Sequence, residues 1–263
     1  MLNQYRYHAG QFQQDFSVFK LTGSDVFSFL QNQSTFDVKL LSERSFHLAA
    51  FLDPQGRTEC YGWLLRDKED YLYLVPKALT EEALERLNRY LISEDVTIDG
   101  PVSETWSIAL GPEAAVSHGY EGTLFDEKAY FSQESIASLP QIPQEIVDDW
   151  RALTGWPTFS GAGFTKEIIN NQRLFDLAVI TNKGCYPGQE TVSKIATRRG
   201  AAYAPILLEV PSPLEAGEIS NFGKKIGKIT STHKWEEKYY AEAVLLRDFR
   251  VAGMIAILIE HVL

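Results

Sequence analysis

The rhythm of apolar and polar positions changes several times along the chain, and each change predicts an element. Phe16 to Leu21 alternates, which predicts a strand, and Thr22-Gly23 ends it. Ser24 is then placed as the N-cap of a helix, because Val26, Phe27, Phe29 and Leu30 follow at helical spacing. Asp53-Pro54-Gln55-Gly56 predicts a tight turn between two strands, the second being Thr58 to Leu65. Tyr71 to Val75 predicts another strand. Thr80-Glu81-Glu82 opens a helix with Ala83, Leu84, Leu87, Tyr90 and Leu91 on one face, and its early carboxylates suit the helix dipole. Val96 to Ile98 and Thr105 to Leu110 predict strands. Residues 111–141 show no clear period. Glu145 to Thr154 predicts a helix stopped by Gly155 and Pro157.

After residue 200 the pattern becomes all-strand. Ile206 to Val210, Lys225 to Thr230, Ala241 to Leu246 and Met254 to Glu260 alternate with Gly, Pro and Asn turns. That spacing predicts a small antiparallel barrel or sandwich. The fold class is therefore α+β, with a mixed region over 1–200 and a β tail over 201–263. No internal repeat or low-complexity tract interrupts it.

Composition narrows the function. The chain has 263 residues, 44% of them hydrophobic and 12% aromatic, which suits a folded protein. Its net charge of −10 repels nucleic-acid phosphate and anionic lipid, so neither direct nucleic-acid binding nor membrane association is expected. The longest apolar run, Val251 to Ile259, is too short to span a bilayer as a helix, and no secretion signal is visible. A cytoplasmic location is expected. Cys60 and Cys185 are the two cysteines; they form no CxxC pair, no metal site is expected, and they cannot supply the four thiolates of a self-contained iron–sulfur cluster.

One segment concentrates chemistry. Residues 183–190 read Lys-Gly-Cys-Tyr-Pro-Gly-Gln-Glu. Two glycines and a proline impose a sharp turn, and Gln189 and Glu190 begin a helix through Val192, Ile195 and Ala196. Cys185 then sits just ahead of a helix N-terminus with Lys183 close in sequence, and both features favour thiolate. The plainer alternative is a free cysteine buried in a tight turn.

This octapeptide resembles the K-G-C-Y-x-G-Q-E signature of the YgfZ family. The resemblance extends to Gly23-Ser24-Asp25 with Phe29-Leu30-Gln31-Asn32-Gln33, to Thr35-Phe36-Asp37-Val38, to Asp53-Pro54-Gln55-Gly56-Arg57, to Tyr71–Pro76 with Leu84–Tyr90, and to Arg151, Gly155 and Pro157. It covers most of the chain in order and is weakest over 111–141 and in the tail. It implies the fold of the glycine-cleavage T-protein: two interlocked α+β subdomains over 1–200, then a C-terminal antiparallel β-barrel over 201–263. It also implies tetrahydrofolate or a derivative as cofactor, and iron–sulfur proteins or their assembly factors as partners, including an enzyme that modifies tRNA.

By the same resemblance Cys185 is the reactive group, and Phe16, Asp37, Trp150, Lys183, Tyr186, Gln189, Glu190 and Arg198 are the folate-binding positions. Phe16 would stack on the ligand or serve as a core residue. Arg198 and Arg199 would hold the folate glutamate tail or form a solvated pair at a helix C-terminus. The five histidines are scattered and receive no role, and Cys60 reads as core.

The chain departs from the aminomethyltransferases at their catalytic positions. Where they carry an Asn-Ala segment leading to an Asp, it has Val75-Pro76-Lys77-Ala78-Leu79-Thr80; where they carry R-x-E-A-G, it has Arg151-Ala152-Leu153-Thr154-Gly155. Lys166 to Asn171 lacks an expected proline. Without those carboxylates one-carbon transfer loses its acid/base groups. The function expected is a folate-binding accessory factor for iron–sulfur proteins. A folate-dependent aminomethyl transferase and a noncatalytic scaffold are the alternatives.

Overall fold

In the structure, a computed structural model, residues 9–111, 118–159, 161, 165–171, 173–197, 202–221, 223–235 and 237–249 are described. Seven strands form the larger sheet: β1 (Gly10–Thr22), β2 (Phe46–Leu52), β3 (Thr58–Asp67), β4 (Asp70–Pro76), β5 (Thr97–Leu110), β6 (Tyr120–Leu124) and β7 (Glu127–Ser132). Their spatial order is β2-β3-β4-β1-β5-β7-β6, and all the pairings are antiparallel. The sheet curls until its edges meet. Ser45 bridges to Glu121, whose N–H donates to the Arg44 carbonyl at 2.9 Å. A Cβ on Gly122 would lie 2.6 Å from the Phe46 carbonyl oxygen, so only glycine lets the edges approach this far.

Strand alternation sorts the side chains into two cores. Phe12, Phe16, Tyr61, Trp63, Leu74 and Phe131 face the inside of the curl. Phe19, Leu21, Cys60, Leu64 and Tyr73 face outward and are covered by the helices α1 (Val26–Gln33) and α2 (Thr80–Arg89). Burying a large apolar side chain contributes about 1.5–3 kcal/mol, so these two layers supply much of the driving force.

The inside of the curl is closed by α3 (Gln144–Thr154), α4 (Leu174–Ala178) and α5 (Gln189–Thr197). Gly155 ends α3 with φ 68°, a left-handed conformation that glycine adopts freely. A second antiparallel sheet follows, ordered β8-β11-β10-β9, from β8 (Tyr203–Val210), β9 (Gly217–Asn221), β10 (Lys224–Trp235) and β11 (Lys238–Leu246). The predicted strand Met254 to Glu260 lies outside the described residues. Among the described residues no helix is long and apolar enough to cross a membrane.

Three local expectations are corrected. Ser24 is not a cap: its hydroxyl donates to Asp95 Oδ2 at 2.9 Å, Asp25 takes the cap position, and the Asp25 carboxylate accepts from Asp95 N at 2.9 Å. A tertiary contact has displaced local capping. The strands expected at Val96–Ile98 and Thr105–Leu110 are one strand, β5, continuous across Gly100-Pro101 opposite a register shift at Val18–Lys20 of β1. The segment without period contains the β6–β7 hairpin. Its turn residues Phe125 and Asp126 have φ of 54° and 63°, a turn geometry that their residue types do not announce.

Candidate functional site

The octapeptide is built into the fold through its glycines and its lysine. Gly188 (φ 82°) presses against the 53–57 turn, and a Cβ there would lie 2.7 Å from the Asp53 carbonyl oxygen and 2.9 Å from Gly56 Cα. Gly56 (φ 83°) returns the contact: its Cβ would meet Thr191 Cβ at 2.7 Å. The turn is held by the Asp53 carboxylate, which accepts from Gln55 N at 2.9 Å and Arg57 N at 2.8 Å. The two motifs that the sequence shows separately are thus one interlocked piece of backbone.

Lys183 is buried, and its ammonium donates to the Gln31 carbonyl and lies 4.9 Å over the Tyr186 ring. Burial pulls its pKa down to about 8; the charge of Asp37 opposes this and that of Lys39 adds to it. The lysine charge is therefore directed inward. Gln31 completes the clamp. Its amide donates to the Lys183 carbonyl at 3.0 Å and accepts from Val38 N at 2.8 Å, tying the octapeptide to the Asp37-Val38 turn. Cys185 is exposed at the apex.

The structure brings Asp37, Lys183, Cys185 and Tyr186 into one neighbourhood. Phe16 and Trp150 lie deeper, in the inner core. Phe16 packs at 5.5 Å on Trp63 and 6.0 Å on Phe131 and Phe159, and Trp150 lies 5.9 Å from Phe125. Gln189 starts α5, its N–H on the Tyr186 carbonyl at 3.1 Å. Glu190 is exposed and pairs with Lys194 at 2.6 Å. Arg198 and Arg199 lie outside the described residues.

The inner core holds polar atoms that nothing in the described protein satisfies. Trp63 Nε1, Trp150 Nε1, Trp156 Nε1 and the Tyr186 hydroxyl are buried without a hydrogen-bond partner, and all four residues belong to one cluster. Each such donor costs about 1–3 kcal/mol if left unpaired. Burial also pushes the Tyr186 phenol up to about 12, so it remains a donor at neutral pH.

Beside this cluster α3 faces the second sheet across a cavity of about 230 Å³, lined by Arg151, Thr158, Ser231, Glu242 and the Glu167–Lys228 ion pair. A second cavity of about 350 Å³ shares Thr230 and Glu242 with it and has an apolar wall that includes Leu153, Ile206, Leu207 and Val244. Glu242 Oε2 accepts from Ser231, from Arg151 at 3.4 Å and from His233 at 3.2 Å, and Asp149 lies 3.8 Å from the other side of the His233 ring. Burial pushes the Glu242 pKa up, but the His233 hydrogen bond, the Arg151 charge and the Ser231 hydroxyl outweigh it, and the group is held below its ordinary value.

Sequence reasoning assigned no role to Glu242, His233, Asp149 or Gln31. The available signal was weak: Glu242 sits between Ala241 and Ala243 on an alternating strand and reads as a solvent-facing position.

No family model matches the chain. An uncharacterized protein of Haemophilus influenzae is 22% identical over 262 residues, covering 89% of this chain and 87% of its own length. The tRNA-modifying protein YgfZ of Escherichia coli is 25% identical, covering 89% of this chain and 84% of its own, and that of Hamiltonella defensa is 25% identical, covering 90% and 82%. Among solved structures, the glycine cleavage system aminomethyltransferase T of Bartonella henselae superposes with a TM-score of 0.72 at 14% identity, over 95% of this chain and 81% of that one. The fold is that of the glycine-cleavage T-protein, and several of the sequence relatives are tRNA-modifying YgfZ proteins.

Proposed function

We propose that this relative of the YgfZ proteins is a folate-binding accessory factor that supports iron–sulfur proteins, among them an enzyme of tRNA modification. The names of its relatives support a role related to tRNA modification, and the resemblance of its motifs suggests folate and iron–sulfur proteins. The observation that carries the folate reading is the set of four buried, unpartnered donors in the inner aromatic cluster. A pterin offers ring nitrogens and a carbonyl oxygen as acceptors and a flat face for stacking on Trp or Phe. The residues present therefore fit the group. Trp150, Trp156 and Tyr186 would donate to it, and the aromatic rings would pack its faces. The folate would supply a one-carbon carrier.

Aminomethyl transfer does not fit this chain. At the position read against the catalytic Asp of the transferases, Leu79 is buried, and the Thr80 hydroxyl bonds Ser17 Oγ at 2.6 Å. Neither brings a carboxylate. Cys185, exposed on a loop braced by Gln31, Lys183 and Gly188, is the group presented to a partner.

Calorimetric titration with tetrahydrofolate tests the reading. Micromolar affinity, about −8 kcal/mol, is expected. Absence of heat and of thermal stabilisation at millimolar ligand would exclude folate. Complementation of an iron–sulfur maintenance defect by the wild type but not by Cys185→Ala is the cellular counterpart; full activity of that variant would reduce the octapeptide to a structural turn.

A further inference from the structure

In a chain of net charge −10, most of the described lysines and arginines pair with a carboxylate. Lys39, Arg57 and Lys166 do not. All three are exposed, and among the described residues their side chains make no ion pair or hydrogen bond. Lys68 and Lys224 share that state, at the β3–β4 and β9–β10 hairpins.

The first three lie on segments fastened to the octapeptide. Lys39 follows the Asp37-Val38 turn that Gln31 ties to Lys183, and its charge reaches the Lys183 ammonium. Arg57 closes the turn against which Gly188 is pressed. Lys166 belongs to a segment paired with that turn. Arg57 bridges to Ile168, Lys166 N donates to the Thr58 carbonyl at 2.7 Å, and Ile169 N to the Gly56 carbonyl at 3.1 Å. Of the carboxylates on these segments, Glu167 is neutralised by Lys228 and Glu190 by Lys194. Asp37 and Asp53 spend theirs on backbone N–H groups. Lys39, Arg57, Lys166 and Lys183 outnumber those last two, so this part of an acidic protein is locally positive. Apolar surface adjoins the charge. Leu40 is 62% exposed directly after Lys39, and Phe27 is 39% exposed one turn before Gln31 on α1. An apolar centre with a charged rim is the anatomy of a protein interface.

We propose that Lys39, Arg57 and Lys166, with Leu40 and Phe27, form a docking surface around Cys185 for a partner protein that presents an acidic, partly apolar face. The inference rests on the reading of Cys185 as the group presented to a partner and adds the surface that guides it there. The cations steer an acidic partner to the thiol while the rest of the molecule repels it, which sets orientation as well as rate. Nucleic acid fits less well: the net charge of −10 opposes a polyanion, and phosphate has no use for Leu40 or Phe27.

The test compares the full-length wild type with a triple variant, Lys39→Gln, Arg57→Gln and Lys166→Gln, folding being checked by a thermal melt. The first readout is the field at the thiol, from rates of Cys185 with dithionitrobenzoate, a dianion, and with neutral dithiodipyridine. Cys60 is buried and does not compete. The triple variant is expected to react about 3–10-fold more slowly with the dianion at low salt and equally fast with the neutral disulfide. An unchanged rate with the dianion would overturn the proposal. The second readout is complementation of an iron–sulfur maintenance defect. The triple variant is expected to fail, with its affinity for tetrahydrofolate unchanged, and the charge-keeping variant Lys39→Arg, Arg57→Lys and Lys166→Arg to succeed. Full complementation by the triple variant while Cys185→Ala fails removes the docking surface and leaves the role of Cys185; full complementation by both removes both. Loss of folate affinity in the triple variant would give the cations to that ligand instead. Binding of bulk tRNA by the wild type but not the variant would give them to nucleic acid; either result overturns the proposal. Where the triple variant does not fold, the three single substitutions decide by the same readouts.

Discussion

The two thiols have opposite environments. Cys60 lies on β3 with the Tyr73 hydroxyl 3.7 Å away, and burial pushes its pKa up to about 12. Cys185 stands in solvent. Iodoacetamide at neutral pH is expected to label Cys185 first, read by mass spectrometry; earlier labelling of Cys60 would contradict the structure. Because Cys185 is exposed, Cys185→Ala is expected to cost at most about 1 kcal/mol of stability. Lys183 gives a pH-dependent signature. Its folded pKa of about 8 lies below the ordinary 10.5. Between those values the unfolded chain keeps the proton that the folded chain has released, so stability rises with pH across that window. The penalty is present in full below the folded value and is gone above the unfolded one. Lys183→Met removes it, on the order of 3 kcal/mol. Urea titrations at pH 7 and pH 10 should show the wild type gaining relative to the variant, and a constant difference between them would refute the assignment.

Glycine positions show what the elements demand of the sequence. Gly155→Ala meets only the flexible Arg173 side chain, at 3.1 Å, so its cost is the left-handed backbone, about 1–2 kcal/mol. Gly188→Ala also meets backbone on the opposite side, at Asp53 and Gly56. It should cost roughly twice as much or more and displace the loop carrying Cys185, measured as a larger fall in melting temperature and altered thiol labelling; equal costs for the two variants would argue against the interlocked turns. These same glycines explain what could be read in advance. The 53–56 turn, the stop of α3 and the octapeptide are written in Gly and Pro and were legible locally. The contact of Gly188 with the 53–57 turn was not, because it joins segments far apart in the chain. Nor was the β6–β7 hairpin, whose turn places Phe125, a residue type that rarely takes positive φ, in the left-handed region. Ser24 looked like a cap until Asp95, from a distant segment, claimed its hydroxyl. Glu242 gains Arg151, and His233 gains Asp149, only when β10 and β11 dock on α3.

At the scale of the molecule, the fold gathers most of its tryptophans around one core. Trp63, Trp106, Trp150 and Trp156 are buried in the inner cluster, and Trp235 packs against it. Folate binding beside this cluster should quench the intrinsic emission, and Trp150→Phe, which keeps an aromatic but smaller ring and removes a buried donor, should weaken binding measured well below its melting temperature, which the cavity it leaves will lower. Unchanged emission at saturating folate would place the ligand elsewhere. The strand order carries a separate consequence for how the protein is made. β1 (Gly10–Thr22) is the middle of the large sheet, yet its neighbours are β4 (Asp70–Pro76) and β5 (Thr97–Leu110). A ribosome delivers this strand well before either partner, and pairings so distant in sequence close slowly. During synthesis the row of Phe12, Phe16 and Phe19 must wait unpaired, an aggregation-prone interval that invites a chaperone to hold the nascent chain until β5 emerges.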